Sequence, residues 1–203
     1  MTEREKTRSE LKREAIIEAA KRAFEEFGVQ GTSMDKLAEM AGVSKRTVYN
    51  HFASKEELVL HLISDLWQRS MVDVDIPYSP DESLDAQLAR LLEAEVALVS
   101  GGEFLGLARI ATGHFLYHPE ALQERIAEFD ALETALHRWL RAAAEDGKLK
   151  PLDTSLAVKQ LHSLIKGSCY YLQLLGIAPE LDEDEKAKLV RDTVELFLSH
   201  YRA

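Results

Sequence analysis

Four polar side chains between residues 45 and 50 have the types and the spacing needed to recognise a nucleic acid. They are Lys45, Arg46, Tyr49 and Asn50. On a helix of 3.6 residues per turn they fall within roughly 140° of one another and away from Val48. Lysine and arginine carry donors that match O6 and N7 of guanine, and asparagine can pair with adenine. The spacing therefore predicts a short helix that presents a polar face to a major groove.

Hydroxyl and cationic groups surround this face. Hydroxyls, helix N-termini and ammonium groups are suited to phosphate oxygens, and such contacts fix the register on a duplex without reading its sequence. We expect this role for Thr32, Ser33, Tyr49, His51 and Lys55.

Two short helices joined by a turn must position the polar face. Gly42 permits a tight turn, and Ser44 is placed to cap the helix that follows. We expect a small shared core from Leu37, Ala38, Ala41, Val43, Val48 and Phe52. Such helix pairs also occur in bundles that bind nothing, and Lys, Arg and Asn are common on solvated faces. Geometry alone leaves both interpretations open.

The apolar pattern is helical along nearly the whole chain, and no period-2 strand pattern appears. We predict helices over 6–27, 32–41, 44–51, 54–72, 83–100, 103–113, 119–146, 154–175 and 183–201. Gly28 ends the first, Thr32 or Ser33 caps the second, Ser54 with Glu57 forms a capping box, and Asp153 caps the eighth. Residues 73–83, which contain two prolines, form a predicted linker.

Residues 9–60 resemble the TetR family of bacterial transcriptional regulators. The matching stretch is AIIEAAKRAFEEFGVQGTSMDKLAEMAGVSKRTVYNHFASKEEL. The resemblance implies an all-α protein with a three-helix DNA-binding domain containing a helix-turn-helix, followed by a six-helix ligand-binding and dimerisation domain. We accordingly expect an N-terminal domain over 1–53 and a regulatory domain over 54–203.

The resemblance also assigns contacts. It implies major-groove contacts from Ser44, Lys45, Arg46, Thr47 and Tyr49, and phosphate contacts from Thr32, Tyr49, His51 and Lys55. Many members have glycine or alanine at position 46 and an aromatic residue or histidine at position 50. The operators of other members should therefore not be transferred to this chain.

Charge is unevenly distributed along the sequence. Residues 1–60 hold 11 basic and 11 acidic residues, so the later residues carry the whole net charge of −10. This pattern confines any repulsion of phosphate to the later part, although acidic surfaces also aid solubility. No apolar run approaches the roughly 20 residues needed to span a bilayer. The N-terminus lacks the apolar stretch of a secretory signal, and we expect a cytoplasmic protein without membrane partners.

The last two predicted helices have apolar surface too broad for a single stripe. In the family the corresponding helices pair with their twins, which implies a homodimer, although they could instead complete the monomer core. A single recognition helix reads few base pairs, so a dimer on a two-fold operator also fits the need for specificity. Cys169, the only cysteine, is interpreted as a small buried hydrophobe, with a redox role left open.

Polar and aromatic residues of the second half are candidates for lining an effector pocket, although aromatic residues in helices usually belong to the core. The candidates are Trp67, Phe104, His114, Phe115, Trp139, His162, Tyr170 and Tyr171. Arg109 is compatible with an anionic ligand, although a surface or ion-paired role would also explain this residue. His114 and His118 have metal-ligand spacing, but Pro119 disfavours a shared helix face and no third ligand is evident.

The sequence lacks a Gly-rich phosphate loop, a G-x-S-x-G elbow and an H-E-x-x-H motif, so we expect neither an enzyme nor a cofactor. An interaction module that does not bind DNA would leave the basic face unexplained. We predict a dimeric regulator, a repressor, that binds a pseudo-palindromic operator and is released by a small-molecule effector. The alternative is a similar regulator that activates or has no small-molecule ligand.

Overall fold

The computed structural model describes residues 6–72, 76–117, 119–120, 123 and 133–203, and for 67–72 the backbone alone. Apart from one isolated bridge between Leu149 and Arg202, the regular elements of these residues are helices. They are α1 (Arg8–Gly31), α2 (Met34–Ala41), α3 (Lys45–His51), α4 (Lys55–Val72), α5 (Leu84–Val99), α6 (Gly102–Phe115), α7 (Ala135–Glu145), α8 (Thr154–Cys169), α9 (Tyr171–Leu174) and α10 (Glu183–Tyr201). The predicted all-α class is confirmed.

The chain forms two compact units. One comprises Met1–Leu66 and Gly106–Leu122, and the other comprises Trp67–Leu105 and Gln123–Ala203. In the first unit, α1 packs on α2 and α3. In the second unit, α10 packs on α5 and α8, and α8 also contacts α5 and α7.

Side-chain caps start several helices where the sequence predicts them. The side chains of Ser33, Ser44 and Asp153 each accept a hydrogen bond from the backbone N–H three residues on, at 3.2, 3.1 and 3.0 Å. These bonds satisfy donors that have no partner inside the helix. Gly28 interrupts α1 with a φ of 70° and a ψ of 165°, and the helix resumes for a short stretch after it.

Two predicted helices are wrong in extent. A continuous helix over 119–146 is excluded because residues 133 and 134 are not helical and α7 starts after Thr134, whose hydroxyl accepts from the His137 N–H. Residues 121–122 and 124–132 of that prediction lie outside the described part of the chain. The helix predicted over 154–175 breaks at Tyr170, where φ is −131° and ψ is −57°, which separates α8 from α9.

The capping box predicted at the start of α4 is present only in part. The Ser54 hydroxyl accepts from the Glu57 N–H at 3.2 Å, as expected. The Glu57 carboxylate, however, accepts from the Ala53 N–H at 2.6 Å rather than from the N–H of Ser54. The carboxylate therefore satisfies a donor one residue before the cap. Of the predicted linker, residues 76–83 are non-helical and 73–75 lie outside the description.

The core of the second unit is formed by apolar residues of α5, α7, α8 and α10. Trp139 is 1% exposed, and its indole N–H donates to the Gln87 side-chain oxygen at 3.2 Å. Cys169 is fully buried in this core, as predicted for a small hydrophobe. Burial raises the pKa of the Cys169 thiol to about 11, so the group stays protonated at neutral pH.

Candidate nucleic-acid interface

The core between α2 and α3 contains four of the six predicted apolar residues. Leu37, Ala38, Val48 and Phe52 are buried, and they pack in the same unit as the buried alanines of α1. The other two predicted core residues, Ala41 and Val43, are only half-buried. They border the turn between the helices, where less of the neighbouring structure can cover them.

The turn between α2 and α3 uses the left-handed backbone that glycine allows. Gly42 has a φ of 65° and a ψ of 31°. Its N–H donates to the Glu39 carbonyl at 3.1 Å, and the Val43 N–H donates to the Ala38 carbonyl at 3.0 Å. This bond pattern is a Schellman motif, which ends one helix and aims the chain into the next. The turn sets the angle at which α3 leaves α2.

Helix α3 has one buried face and one exposed face. Val48 is 0% exposed, whereas Ser44, Lys45, Arg46, Tyr49 and Asn50 are exposed. Thr47 and His51 are half-buried at the edges of the exposed face. The Ser44 and Thr47 hydroxyls lie 2.8 Å apart, so they form a hydrogen-bonded pair at the start of the helix. The structure thus brings the predicted base-contacting side chains together on one accessible side.

Lys45 does not project freely from this face. Its ammonium nitrogen lies 2.7 Å from Oδ1 of Asp35, in the first turn of α2. The hydrogen bond to Asp35 raises the pKa of the Lys45 ammonium, and the carboxylate charge acts in the same direction. Asp35 was not among the residues predicted from the sequence; its only signal there is an acidic residue two positions after an N-cap, where it also suits the helix dipole.

Four of the predicted phosphate-contacting residues meet at one cavity. Its volume is about 400 Å³, and its walls come from the end of α1, the starts of α2 and α4, and the side of α3. Thr32, Ser33, Tyr49 and Lys55 line it, whereas His51 does not. Two helix N-termini border this cavity, and such termini favour anions.

Two of these four side chains are already bonded to the protein. The buried Thr32 hydroxyl donates to the Gly28 carbonyl at 2.8 Å and is 3.2 Å from the Ala23 carbonyl. The Lys55 ammonium donates to the Val29 carbonyl at 2.8 Å and lies 3.4 Å from the Thr32 carbonyl. Lys55 therefore ties the start of α4 to the end of α1, where exposed carbonyls favour a cation.

Arg13 of α1 and His61 of α4 both contact the Phe52 ring at the end of α3. The Arg13 guanidinium of α1 lies 5.1 Å from the centre of the Phe52 ring, at the end of α3. The His61 ring of α4 lies 5.7 Å from the same ring, and its Nδ1 is 3.5 Å from Arg13. Burial lowers the pKa of His61, and the Arg13 charge lowers it further. A neutral imidazole can lie beside the guanidinium without repulsion.

The predicted effector residues fall in both units. His114 and Phe115 are buried in the first unit, with ring centres 4.9 Å apart. In the second unit Tyr170 lies edge-on to Phe104 at 6.0 Å and to the exposed Tyr171 at 5.3 Å. The side chain of Trp67 lies outside the described residues.

His162 of α8 is paired with a carboxyl group that the sequence analysis missed. Its Nε2 lies 3.5 Å from Oε1 of Glu95 on α5. Burial raises the pKa of Glu95 to about 7 and lowers the pKa of His162 to about 4. Near pH 7 the pair is therefore not a full ion pair. The second carboxyl oxygen of Glu95 is buried and has no hydrogen-bond partner among the described residues.

Among the described residues, no group of three His, Cys, Asp or Glu side chains could hold a metal ion. His118, the second residue of the spacing noted above, lies outside the description. No helix within the described ranges has the length and apolar character to cross a membrane.

Family models match most of the chain. Residues 16–62 match the model described as bacterial regulatory proteins, tetR family. Residues 86–203 match the model of the AefR-like transcriptional repressor, C-terminal domain. The first match includes α2 and α3, and the second begins within α5.

Solved structures and curated proteins resemble the chain over most of its length. A TetR family transcriptional regulator from Pseudomonas syringae pv. tomato str. DC3000 is 37% identical, with a TM-score of 0.81 over 94% of this chain and 96% of that chain. The flavonoid-responsive regulator FrrA is 27% identical, with a TM-score of 0.72 over 94% and 97%. Nucleoid occlusion factor SlmA of Vibrio vulnificus (strain YJ016) is 29% identical over 77% of this chain and 81% of that protein.

Proposed function

Because this chain belongs to the TetR family of bacterial transcriptional regulators, we propose that it is a dimeric repressor of a pseudo-palindromic operator, released by a small molecule. It is a DNA-binding regulator with a helix-turn-helix, and not an enzyme. We propose residues 1–53 as the DNA-binding domain and 54–203 as the regulatory and dimerisation domain, acting in the cytoplasm.

The exposed face of α3 carries this proposal. A short helix with Val48 buried and Lys45, Arg46 and Asn50 exposed can enter a major groove without disturbing its own core. The proposed DNA contacts are Thr32, Ser33, Ser44, Lys45, Arg46, Thr47, Tyr49, Asn50, His51 and Lys55. The side chains of Thr32 and Lys55 already bond to backbone carbonyls. We propose that these two residues contribute to phosphate binding by shaping the cavity that they line.

Exposed apolar side chains support dimerisation through the last helices. Leu156 of α8 and Leu196 of α10 are 51% and 57% exposed, and Leu175 and Ile177 after α9 are 66% and 71% exposed. The Tyr201 hydroxyl donates to the Gln160 side chain at 2.6 Å, which ties the end of α10 to α8. If a second copy covered these side chains, each Å² of apolar surface removed from water would contribute about 25 cal/mol to the stability of the dimer. In contrast, Leu161, Ile165 and Cys169 face the core of the monomer.

Repression and effector release are supported by the relatives. The matching C-terminal model is described as a repressor, and one structural relative is named for its response to flavonoids. We propose that the effector is contacted by residues among Trp67, Phe104, His114, Phe115, Trp139, His162, Tyr170 and Tyr171. Release by an effector needs a coupling free energy of about 1–3 kcal/mol between the two sites.

The operator can be obtained by selection from random duplexes. We expect the protein to enrich a two-fold-symmetric motif with half-sites about one helical turn apart, and to bind it as a dimer in a gel shift. A variant with Lys45, Arg46 and Asn50 all changed to alanine should enrich nothing. If wild-type protein also enriches nothing, the assignment of α3 as a base-reading helix is wrong.

The effector is tested on the selected operator. A compound library that includes flavonoids is screened for loss of operator binding and for a rise in the melting temperature of the protein. We expect at least one compound to do both, because a ligand that favours one state stabilises it and weakens DNA binding. A library that changes neither quantity removes the small-molecule part of the proposal and leaves the DNA-binding part intact.

A further inference from the structure

The ion pair between Asp35 and Lys45 is too exposed to contribute much to stability. The two side chains are 66% and 58% exposed, although their charged atoms are 2.7 Å apart. Exposed pairs of this kind contribute little to the stability of the fold, because water screens both charges. The pair also lies on the side of the molecule proposed to meet DNA, where a carboxylate is unfavourable because it faces phosphates.

Lysine is a point charge with three donors on a flexible stem. Unrestrained, such an ammonium group binds any phosphate oxygen within reach, which strengthens binding to every sequence alike. When one donor is held by Asp35, at the N-terminus of α2, the ammonium stays between the starts of α2 and α3. Two donors remain available for acceptors on base edges.

We propose, on the premise of the proposed function, that Asp35 is a specificity-determining residue: it holds Lys45 towards base edges and away from backbone phosphates. A base edge can accept the remaining donors while the ion pair persists. A phosphate is itself an anion, so its approach to an ammonium group that Asp35 holds brings two negative charges together. The carboxylate therefore penalises the non-specific complex more than the operator complex.

The chain offers a matched control for charge. Glu39 lies one turn after Asp35 on the same face of α2, and it is exposed. Its carboxylate makes no ion pair among the residues that the structure describes. Glu39→Gln removes the same charge from the same helix face without releasing Lys45, so the comparison separates the ion pair from simple repulsion.

The experiment measures dissociation constants of the full-length protein for its selected operator and for a scrambled duplex of equal length, over a range of salt concentrations. For Asp35→Asn we expect about fivefold tighter binding to the scrambled duplex, operator binding that is unchanged or weaker, and a ratio of the two that falls accordingly. The plot of log affinity against log salt for the scrambled duplex should steepen by about 0.9, because one more phosphate is neutralised.

Glu39→Gln should leave the ratio between operator and scrambled duplex within about twofold of wild type, since repulsion acts on both complexes. In a Lys45→Ala background, Asp35→Asn should change scrambled binding no more than Glu39→Gln does. Unchanged melting curves identify these as effects on binding and not on folding.

Equal behaviour of Asp35→Asn and Glu39→Gln, or weaker scrambled binding by Asp35→Asn, overturns the role of Asp35. These outcomes are distinct from failure of the proposed function, in which the wild-type protein selects no operator at all.

Discussion

Arg46 is exposed on α3, one residue after the Lys45 that Asp35 holds. Among the described residues it has no ion pair, so its planar guanidinium is available for a bidentate contact to guanine. Glycine and alanine, which many members of the family carry at this position, cannot make that contact. We therefore expect Arg46 to give this protein a preference at one operator position that members with a small residue lack.

Arg46→Ala should weaken operator binding by about 1–3 kcal/mol and relax the base preference at one position in each half-site. Competition with operators changed at one position at a time measures both effects. Arg22→Ala, which removes an exposed arginine of α1, is the control and should leave the preference profile unaltered. Equal loss of operator and scrambled binding by Arg46→Ala would place its guanidinium on phosphate instead.

Glu95 makes stability depend on pH. Its pKa in the folded chain is about 7, raised by burial above the ordinary 4.5. Below pH 4.5 the carboxyl is protonated in both the folded and unfolded chain, so it has no effect on stability. Between pH 4.5 and 7 the unfolded chain ionises first, and the free energy of unfolding falls by about 3 kcal/mol as an upper limit.

Glu95→Gln should remove this part of the pH dependence. The variant should match wild type near pH 4.5 and become the more stable protein above pH 7, as measured by urea unfolding at both pH values. Glu93→Gln, two residues away on the exposed side of α5, should follow the wild-type curve. A constant difference between Glu95→Gln and wild type across this range would contradict the raised pKa.

The Schellman turn between α2 and α3 is required for the position of the exposed face of α3. Gly42 occupies left-handed backbone, which costs other L-residues about 1–2 kcal/mol. Space is not the constraint, because an added Cβ at Gly42 meets no atom within 4 Å. The backbone conformation alone decides the effect of a substitution.

Gly42→Ala should therefore lower the free energy of unfolding by about 1–2 kcal/mol and weaken DNA binding further by changing the angle of α3. Gly113→Ala is the matched control, since this position in α6 is helical and also has open space around it. It should stabilise the protein by about 0.5–1 kcal/mol. Chemical unfolding of both variants measures the contrast, and equal signs would disprove it.

Helix starts were predictable because a cap is local. Ser33, Ser44 and Asp153 bond to a backbone N–H only three residues away, so the residue type at one position is nearly sufficient. The breaks before Ala135 and at Tyr170 were missed because no glycine or proline marks either of them. The first break is marked only by the Thr134 cap and no side chain caps the start of α9, so a continuous helical pattern hides both breaks.

The polar face of α3 was predictable for the same local reason, since helical spacing places its residues together. In contrast, the ion-pair and hydrogen-bond partners of the predicted site residues could not be predicted. Asp35 and Lys45 are ten positions apart on different helices, and Glu95 and His162 are joined only through the packing of α5 on α8. Acidic residues are expected at the surface, so the burial of Glu95 has no sequence signal.

We expect the proposed dimerisation to decide whether DNA binding is specific. Leu196→Glu places a charge on the exposed apolar part of α10 and should yield monomers at micromolar concentration, with operator affinity reduced at least tenfold because each half-site is then bound separately. Sedimentation velocity and gel shift measure the two effects. Leu11→Glu, at a 53% exposed leucine of α1, should leave the dimer intact. A Leu196→Glu protein that remains dimeric would assign the interface to another surface.

Because the only cysteine is buried, an added surface cysteine can be labelled selectively to follow conformational change in the regulator. A maleimide reacts with thiolate, and the Cys169 thiol is both enclosed and protonated near neutral pH. A second cysteine introduced at an exposed position of α1 could thus be spin-labelled selectively, without first removing the natural one. In the proposed dimer, electron–electron distances between the two labels would then report how far apart the two N-terminal helix-turn-helix units stand, with and without a candidate effector.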